Sequence, residues 1–309
     1  MSESNKVREQ QYIRRLDLLI SDKSGNTFNF SNLQCSFVIK KADSQTPNAA
    51  EIKIYNMSDE TQNLIRKEFT SLIVQAGYES NYGVIFRGNI KQTKFGKEKG
   101  TDTYLYVYAG DGDAAYNFAV VNKTLNSGAT YNDQVDAALS PMQAKDVSKG
   151  FIPTLKGSAL PRGKVMFGVS RQYLQQAARS TDTTWSVQDG KMQFVPMTSY
   201  LPNEVVVLNS KSGLVGAPQE TNDGLSVRCL LNPLIKVGGR IQLNQADIEK
   251  KLGAPQPTNT IAVSTEDDGI YRVLVVEYIG DTRDTDWYCD LICLSVNQSA
   301  PVGEQVANL

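Results

Sequence analysis

The chain has 309 residues, of which 40% are hydrophobic and 21% are charged, a composition that is typical of folded domains and excludes global disorder. Its 32 basic and 33 acidic residues give a formal net charge of -1, so the basic excess that stable nucleic-acid binding requires is missing. The sequence contains no histidine, which excludes histidine-based catalytic triads and removes the commonest transition-metal ligand.

The N-terminal residues MSESNKVREQQ are polar and charged, whereas a secretory signal needs an apolar core. No apolar run approaches the roughly 18 residues that cross a membrane. We therefore expect a soluble protein that is made in the cytoplasm and does not insert into membranes. Its length suits two or three domains, each with its own core.

The first segment shows the alternation of half-buried antiparallel strands, interrupted by a short helix that Ser58 is placed to cap. In the strand from Thr101 to Gly110, alternation places three tyrosines on one side, namely Tyr104, Tyr106 and Tyr108. Two interpretations of this tyrosine face stay open. It is an interface or a wet channel wall, or it is the packed exterior of a barrel or sandwich.

After about residue 113 the sequence pattern changes from alternating strands to helical patches and glycine-rich loops, which indicates a second domain. Thr130 and Asp133 form a helix-start box, and Pro141 is expected just beyond that helix. Ser170 is predicted to cap a second helix with an apolar stripe. The middle of the chain is therefore expected to be a compact α+β unit.

Two further features of this middle segment are a loop and a hairpin. Lys145 to Lys164 is polar and rich in glycine and proline, which fits a partner-docking loop or, as the commoner case, a plain linker. Asp189-Gly190 supplies the two positive-φ positions of a type I′ turn between two short strands.

The last segment is again β, with a proline-bearing insertion from Asp247 to Gly269 that is expected to form a loop or short helix. The final residues carry no periodicity and are expected to hang free or to dock on a neighbour. Two β segments therefore enclose a helical middle.

Candidate chemistry is sparse. The four cysteines lack zinc-site spacing and are interpreted as reduced core residues: Cys35, Cys229, Cys289 and Cys293. The acid pairs at Asp111 and Asp113 and at 266–268 could bind calcium or serve a glycosidase, but acidic turns at strand ends are the simpler interpretation. No catalytic residue, cofactor or metal is predicted.

Five blocks in this order resemble the hub proteins of contractile phage-tail baseplates, a family related in fold to late-control and VgrG-type tail proteins. They span most of the chain: AAEIKIYNMSDET (Ala49 to Thr61), AGYESNYGVIFRGNI (Ala76 to Ile90), WSVQDGKMQ (Trp185 to Gln193), SGLVGAPQETNDGLSVRCLLNP (Ser212 to Pro233) and GIYRVLVVEYIGDTRDTDWYCDLICL (Gly269 to Leu294).

The resemblance implies a mainly β fold with an α+β middle. Two tube-like antiparallel β-barrel domains, residues 1-112 and 201-297, would flank a small α/β domain at 113-200, followed by a C-terminal tail at 298-309. The two barrels are expected to superpose as related domains.

The resemblance also implies a function, that of a structural and non-enzymatic subunit of the virion tail baseplate, assembled in the host cytoplasm. Three copies would form a ring that adapts the sixfold tail tube to the threefold central spike. Expected partners are the tail tube protein, the spike protein and baseplate wedge or other tail proteins. The alternative is a cell-wall-associated tail protein with carbohydrate-binding or weak hydrolase activity.

A hub of this kind would surround a channel through which DNA passes without specific binding. Because a basic wall would retain the polyanion, we expect the channel lining to be neutral to acidic. Outward polar positions on the long strands, together with the tyrosine face, are the candidates for lining or interface residues: Asn89, Lys91, Thr93, Tyr104, Tyr106, Tyr108, Arg272 and Glu277.

Overall fold

The computed structural model describes residues 13–22, 26–58, 60–62, 65, 69–98, 100, 102–221, 224–243 and 269–295. Most of the predicted insertion from Asp247 to Gly269, and all of the predicted tail at 298–309, lie outside these residues. The first segment contains seven strands: β1 (Arg14–Asp22), β2 (Thr27–Asn29), β3 (Cys35–Ala42), β4 (Ala49–Tyr55), β5 (Phe69–Tyr78), β6 (Asn81–Glu98) and β7 (Asp102–Gly110).

The middle unit alternates helices and short strands: α1 (Asp113–Phe118), β8 (Val120–Leu125), α2 (Tyr131–Gln143), β9 (Ser148–Lys149), β10 (Lys164–Val169), α3 (Ser170–Ser180), β11 (Thr183–Gln188) and β12 (Lys191–Pro196). The last segment returns to strands: β13 (Val206–Leu208), β14 (Gln219–Thr221), β15 (Gly224–Leu230), β16 (Arg240–Leu243), β17 (Ile270–Asp281) and β18 (Trp287–Ser295). The mainly β fold with an α+β middle is confirmed.

The strands of the first and last segments form one sheet, in the order β14-β15-β18-β17-β3-β4-β7-β6-β5-β1-β2, with β16 on β17 and β13 on β16. The two segments join where β17 pairs antiparallel with β3, from Val275 opposite Ala42 to Asp281 opposite Ser36. The division of the chain into domains stays a prediction.

Inward-facing residues of both terminal segments share one hydrophobic core, whereas the middle unit has a separate core. All four cysteines are buried, unpaired thiols of the sheet core, as predicted. Burial, reinforced by the charge of Asp281, raises the pKa of the Cys35 thiol to about 12. This thiol therefore stays protonated at neutral pH.

The helix predictions for the middle unit are partly right. Thr130 and Asp133 form a reciprocal capping box at the start of α2, but α2 continues two residues past Pro141, because a proline in the last turn removes only one helical hydrogen bond. Ser170 is not a cap. Its backbone N–H donates to the Ala119 carbonyl at 2.9 Å, so β10 runs directly into α3 and extended Val169 occupies the N-cap position.

Strand β6 lies close to the backbone of β7 at Gly88. A Cβ at this position would lie 2.5 Å from the Gly110 carbonyl oxygen. This is a clash, and the Gly110 backbone cannot easily move away because it is paired within the sheet. We expect Gly88→Ala to lower the free energy of unfolding by about 1–3 kcal/mol, measured by urea denaturation. Gly83→Ala in the same strand is the matched control, since its Cβ would meet the Pro233 side chain at an ordinary 3.4 Å. Equal losses in both variants would contradict this account.

Candidate functional site

One face of the large sheet carries polar side chains across seven neighbouring strands. Residues directly opposite each other on paired strands share a face, so the register defines this polar face as three rows: Lys94, Tyr106, Lys53, Ser36 and Asp281; Gln92, Tyr108, Glu51, Val38, Ile279 and Tyr288; and Lys40, Glu277, Asp290 and Arg228. The rows cross from the first segment to the last without interruption.

The predicted tyrosine face lies on β7, near the β6 end of this surface. Tyr104, Tyr106 and Tyr108 are half-buried, while the residues between them are fully buried. Burial, together with a hydrogen bond to Glu51, raises the pKa of Tyr106 to about 12. The Tyr106 phenol therefore stays protonated at neutral pH, and the three tyrosines lie on the open side of the sheet.

Basic groups on and beside the polar face lie close to carboxylates. Arg228 makes two bonds to Asp290, at 2.7 and 2.8 Å, and the Lys40 ammonium lies 3.5 Å from Glu277 across the β3–β17 junction. Two further pairs join Lys53 to Glu98 at 3.6 Å and Lys91 to Asp113 at 2.7 Å. Three of the four basic residues of the polar face, Lys40, Lys53 and Arg228, therefore lie next to a carboxylate.

The candidates on β6 do not share one face. A β-bulge between Ile90 and Gln92 shifts the register, and an extra residue in one strand reverses the alternation beyond it. Asn89 pairs with Gly110 on the polar side, whereas Thr93 pairs with buried Val107. The expectation that Asn89, Lys91 and Thr93 point the same way is therefore wrong.

On β17, Glu277 lies on the polar face, but Arg272 does not point outward as expected. Arg272 is only 4% exposed, and its guanidinium forms a buried ion pair with Asp43 of the first segment. It also donates to the Thr184 hydroxyl at 3.0 Å. Its Nη1 atom donates to three backbone carbonyls where the chain leaves the middle unit: Pro196, Met197 and Ser199.

A second buried ionic contact forms at the β11–β12 turn. Asp189 and Gly190 have φ of 55° and 75°, as the predicted type I′ turn requires. The carboxylate of Asp111 accepts both turn amides, from Asp189 at 2.6 Å and from Gly190 at 2.9 Å. Asp111 is fully buried. It is therefore a structural anchor for the hairpin and not the simple acidic turn expected.

Lys41 and Lys236 complete this contact on either side of Asp189. The Lys41 ammonium lies 2.5 Å and that of Lys236 3.4 Å from the Asp189 carboxylate. Burial opposes ionisation of Asp189, but the two lysine charges outweigh it and lower its pKa. Burial and the charge of Lys41 together lower the pKa of Lys236 to about 8.

We call these six residues the ionic joint: Lys41, Asp43, Asp111, Asp189, Lys236 and Arg272. They come from all three segments of the chain, so the joint fixes the middle unit to the sheet. Sequence reasoning recognised the Asp189-Gly190 turn but assigned Arg272 to an outward position. The available signal was an arginine within the otherwise apolar start of β17, IYRVLVV.

No protein-family model and no curated protein sequence matches the chain. Solved structures do match it. The 43 kDa tail protein of prophage MuSo2 from Shewanella oneidensis superposes with a TM-score of 0.60 at 7% identity, over 92% of this chain and 98% of that one. A tail protein from Neisseria meningitidis MC58 gives 0.56 at 12% identity, over 92% and 97%.

A third match is the Escherichia coli c3393 protein, described as a component of the type VI secretion system with structural similarity to the T4 bacteriophage tail proteins gp27 and gp5. Its TM-score is 0.51 at 11% identity, over 84% of this chain and 73% of that one. The chain has the fold of phage tail proteins. The resemblance found in the sequence is thereby confirmed at the level of the fold.

Three further features bear on possible binding sites: the tryptophans, potential metal ligands and apolar helices. Trp185 and Trp287, the two tryptophans of the sequence, are 4% and 2% exposed. Among the described residues, no group of three or more acidic or cysteine side chains could hold a metal ion. Nor does any described helix combine the length and apolar character that a membrane span requires.

The Arg272–Asp43 pair provides a direct test of the ionic joint. Arg272→Ala leaves Asp43 buried without its cation, so we expect a loss of about 3–5 kcal/mol in the free energy of unfolding. The matched control is Arg228→Ala, which breaks an exposed pair and should cost about 0–1 kcal/mol. Urea denaturation of both variants measures the difference. Equal costs would show that Arg272 is not anchored as described.

The ionisation of Asp111 makes a second test. Burial raises the pKa of Asp111 from its ordinary 3.8 to about 7, so the folded chain holds this proton more tightly than the unfolded chain. The stabilisation that the folded state gains from this proton is therefore fully present below about pH 4 and is lost as the pH rises through about 7. We expect the stability deficit of Asp111→Asn to be largest at low pH and to shrink toward pH 7, measured by urea midpoints. A deficit that grows with pH would reverse the sign and refute the assignment.

Proposed function

We propose that this chain is a structural hub subunit of a contractile phage-tail baseplate. Three copies form a ring that joins the sixfold tail tube to the threefold central spike, with baseplate wedge or other tail proteins around it. The fold shared with phage tail proteins supports this assignment. The observation within the chain that carries it is the polar face, which runs continuously across strands from both terminal β segments.

The continuity of that face suits a symmetry adaptor. Each copy contributes two β segments joined through β3 and β17, so three copies present six segments to a sixfold tube while keeping threefold symmetry toward the spike. A heterologous contact that closes after three copies produces such a ring. In this proposal the polar face is the channel wall.

The charges of the polar face suit a wall that DNA passes without adhering. Its three rows contain four basic residues, Lys40, Lys53, Lys94 and Arg228, and four acidic residues, Glu51, Glu277, Asp281 and Asp290. Because strong binding to DNA requires release of counterions by unpaired cations, a compensated surface binds weakly. The compensated charge supports the expected neutral to acidic lining.

The proposed role is structural and not enzymatic. Asp111, a candidate acid, has both carboxylate oxygens bonded to turn amides. The alternative role in carbohydrate binding would need exposed aromatic platforms, and both tryptophans are buried. These placements favour the hub over the cell-wall alternatives.

Native mass spectrometry tests the assembly, with the chain alone and with candidate tail tube and spike proteins. We expect a species of three times 34.0 kDa, formed alone or on addition of a partner, and electron microscopy should place the polar face around a central hole. A dimer, or a monomer under all these conditions, would count against the hub. So would a ring whose polar face points outward.

Charge reversal tests the wall. The variant Glu51→Lys/Glu277→Lys makes the polar face basic, so we expect it to retain linear DNA in a manner that weakens steeply with salt, whereas the unmodified chain retains little. The control Glu79→Lys/Asp136→Lys makes the same charge change at exposed positions outside the face. Filter binding across a salt series measures retention. If the unmodified chain holds DNA as strongly as the face variant, the proposed wall is wrong.

A further inference from the structure

The middle unit contains a two-stranded ribbon, formed by β8 and β10, that pairs with no other described strand. Its inner side packs Val121 and Met166 into the core of the middle unit. We call the opposite side its outer face, which consists of three facing pairs: Val120 with Val169, Asn122 with Phe167, and Thr124 with Val165.

The outer face is apolar and open to solvent. Phe167 is 72%, Val165 69% and Val120 52% exposed, and Phe118 at the end of α1 is 69% exposed beside them. Exposed apolar residues are ordinary when scattered, but a contiguous group marks a contact surface. The ribbon carries three of the exposed large apolar residues, and Phe118 of α1 precedes β8 by two residues.

The two edges of the ribbon differ. The Ser170 N–H donates to the Ala119 carbonyl, so these two residues form a hydrogen-bonded pair. Such pairs alternate with non-hydrogen-bonded pairs along an antiparallel ladder. The three outer-face pairs are therefore of the second kind, and their N–H and C=O groups point toward the edges of the ribbon. On β10 the Tyr173 hydroxyl occupies the edge at Phe167, accepting from its N–H at 2.9 Å and donating to its carbonyl at 3.2 Å. Tyr173 therefore blocks strand addition to β10.

The edge of β8 has no such block. The same alternation directs the N–H and C=O groups of Val120, Asn122 and Thr124 away from β10. Within the described part of the chain, β10 is the one strand that pairs with β8. An open edge next to an apolar face is the surface that a peptide in extended conformation recognises.

Several basic residues lie on or near the ribbon in the sequence. Lys123 is the one charged residue of β8, and six lysine or arginine residues lie between residues 147 and 181, of which Lys149 is paired with Asp136. Hydrogen bonds from Thr130, together with the Lys123 charge, lower the pKa of Asp133 at the start of α2. Lys123 is exposed on β8 itself, and Arg162 and Arg171 lie just outside the two ends of β10. These cations favour a partner that brings carboxylates to this edge.

We propose that β8 receives an extended strand from a different protein, one with apolar side chains at alternate positions and carboxylates between them. The apolar side chains extend the outer face beside Phe167 and Val120, and the carboxylates meet Lys123, Arg162 and Arg171. A second copy pairing β8 with β8 would bring two basic edges together, so charge favours a different protein. This reasoning does not depend on the proposed hub.

A synthetic peptide of about eight residues that alternates valine with glutamate is the probe, since it spans one ordinary strand. We expect it to slow hydrogen exchange at Val120, Asn122 and Thr124 and to bind about tenfold more tightly than the same peptide with lysine in place of glutamate. An acidic peptide methylated on alternate backbone nitrogens should lose this protection, because it cannot pair with an edge.

Asn122→Pro removes an edge N–H that the β8–β10 ladder does not use, so the ribbon should persist while peptide affinity falls about tenfold. Asn122→Val keeps that N–H and is the matched control. Val165→Thr should also weaken binding, whereas Val207→Thr, which alters an exposed valine of β13, should not.

Three outcomes would overturn the proposal. Edge amides that already exchange slowly in the dilute chain alone would place another segment of this chain on β8. Protection that rises with protein concentration would place a second copy there. Binding that is indifferent to peptide charge or to Asn122→Pro would show that the edge is not the site. The first and third results leave the mass of the ring unaffected, so they are distinguishable from failure of the proposed hub. The second is distinguishable because pairing of β8 with β8 joins copies in twos and not in threes.

Discussion

The ion pair between Arg272 and Asp43 is the contact on which the arrangement of the three segments depends. The guanidinium extends from β17 and bonds to Asp43 in the loop after β3, to the Thr184 hydroxyl of β11 and to the Pro196 carbonyl at the end of β12. A buried charge of this kind adds little net stability when paired, but it is costly when its partner moves away. The pair therefore acts against any arrangement in which the middle unit separates from the sheet.

Strand β3 links this joint to the polar face through two consecutive residues. Lys40 lies opposite Glu277 on the polar face, while Lys41 is buried and bonds to Asp189 of the middle unit. Successive side chains of a strand point to opposite sides, so one strand both completes the surface and anchors the hairpin behind it. A fixed backbone at this junction keeps the two terminal β segments in a single continuous sheet.

The polar face and the outer face of the β8–β10 ribbon have opposite chemistry. On the polar face Lys40 and Arg228 pair with carboxylates and the Tyr106 phenol stays protonated, which suits a wall that other molecules pass. The ribbon combines an apolar face with an open strand edge and the nearby cations Lys123, Arg162 and Arg171, which suits stable docking. The chain thus separates a surface that avoids adhesion from one that favours it.

Local patterns in the sequence were sufficient for the mainly β class, the buried cysteines, the Thr130–Asp133 capping box, the Asp189-Gly190 turn and the one-sided tyrosines, because each depends on residues close together in the chain. The tertiary structure alone decided the bulge that separates Asn89 from Thr93, the burial of Arg272 and Asp111, and the pairing of β3 with β17. Those features depend on partners more than 70 residues away or on the register between strands, and alternation within one strand carries no information about either.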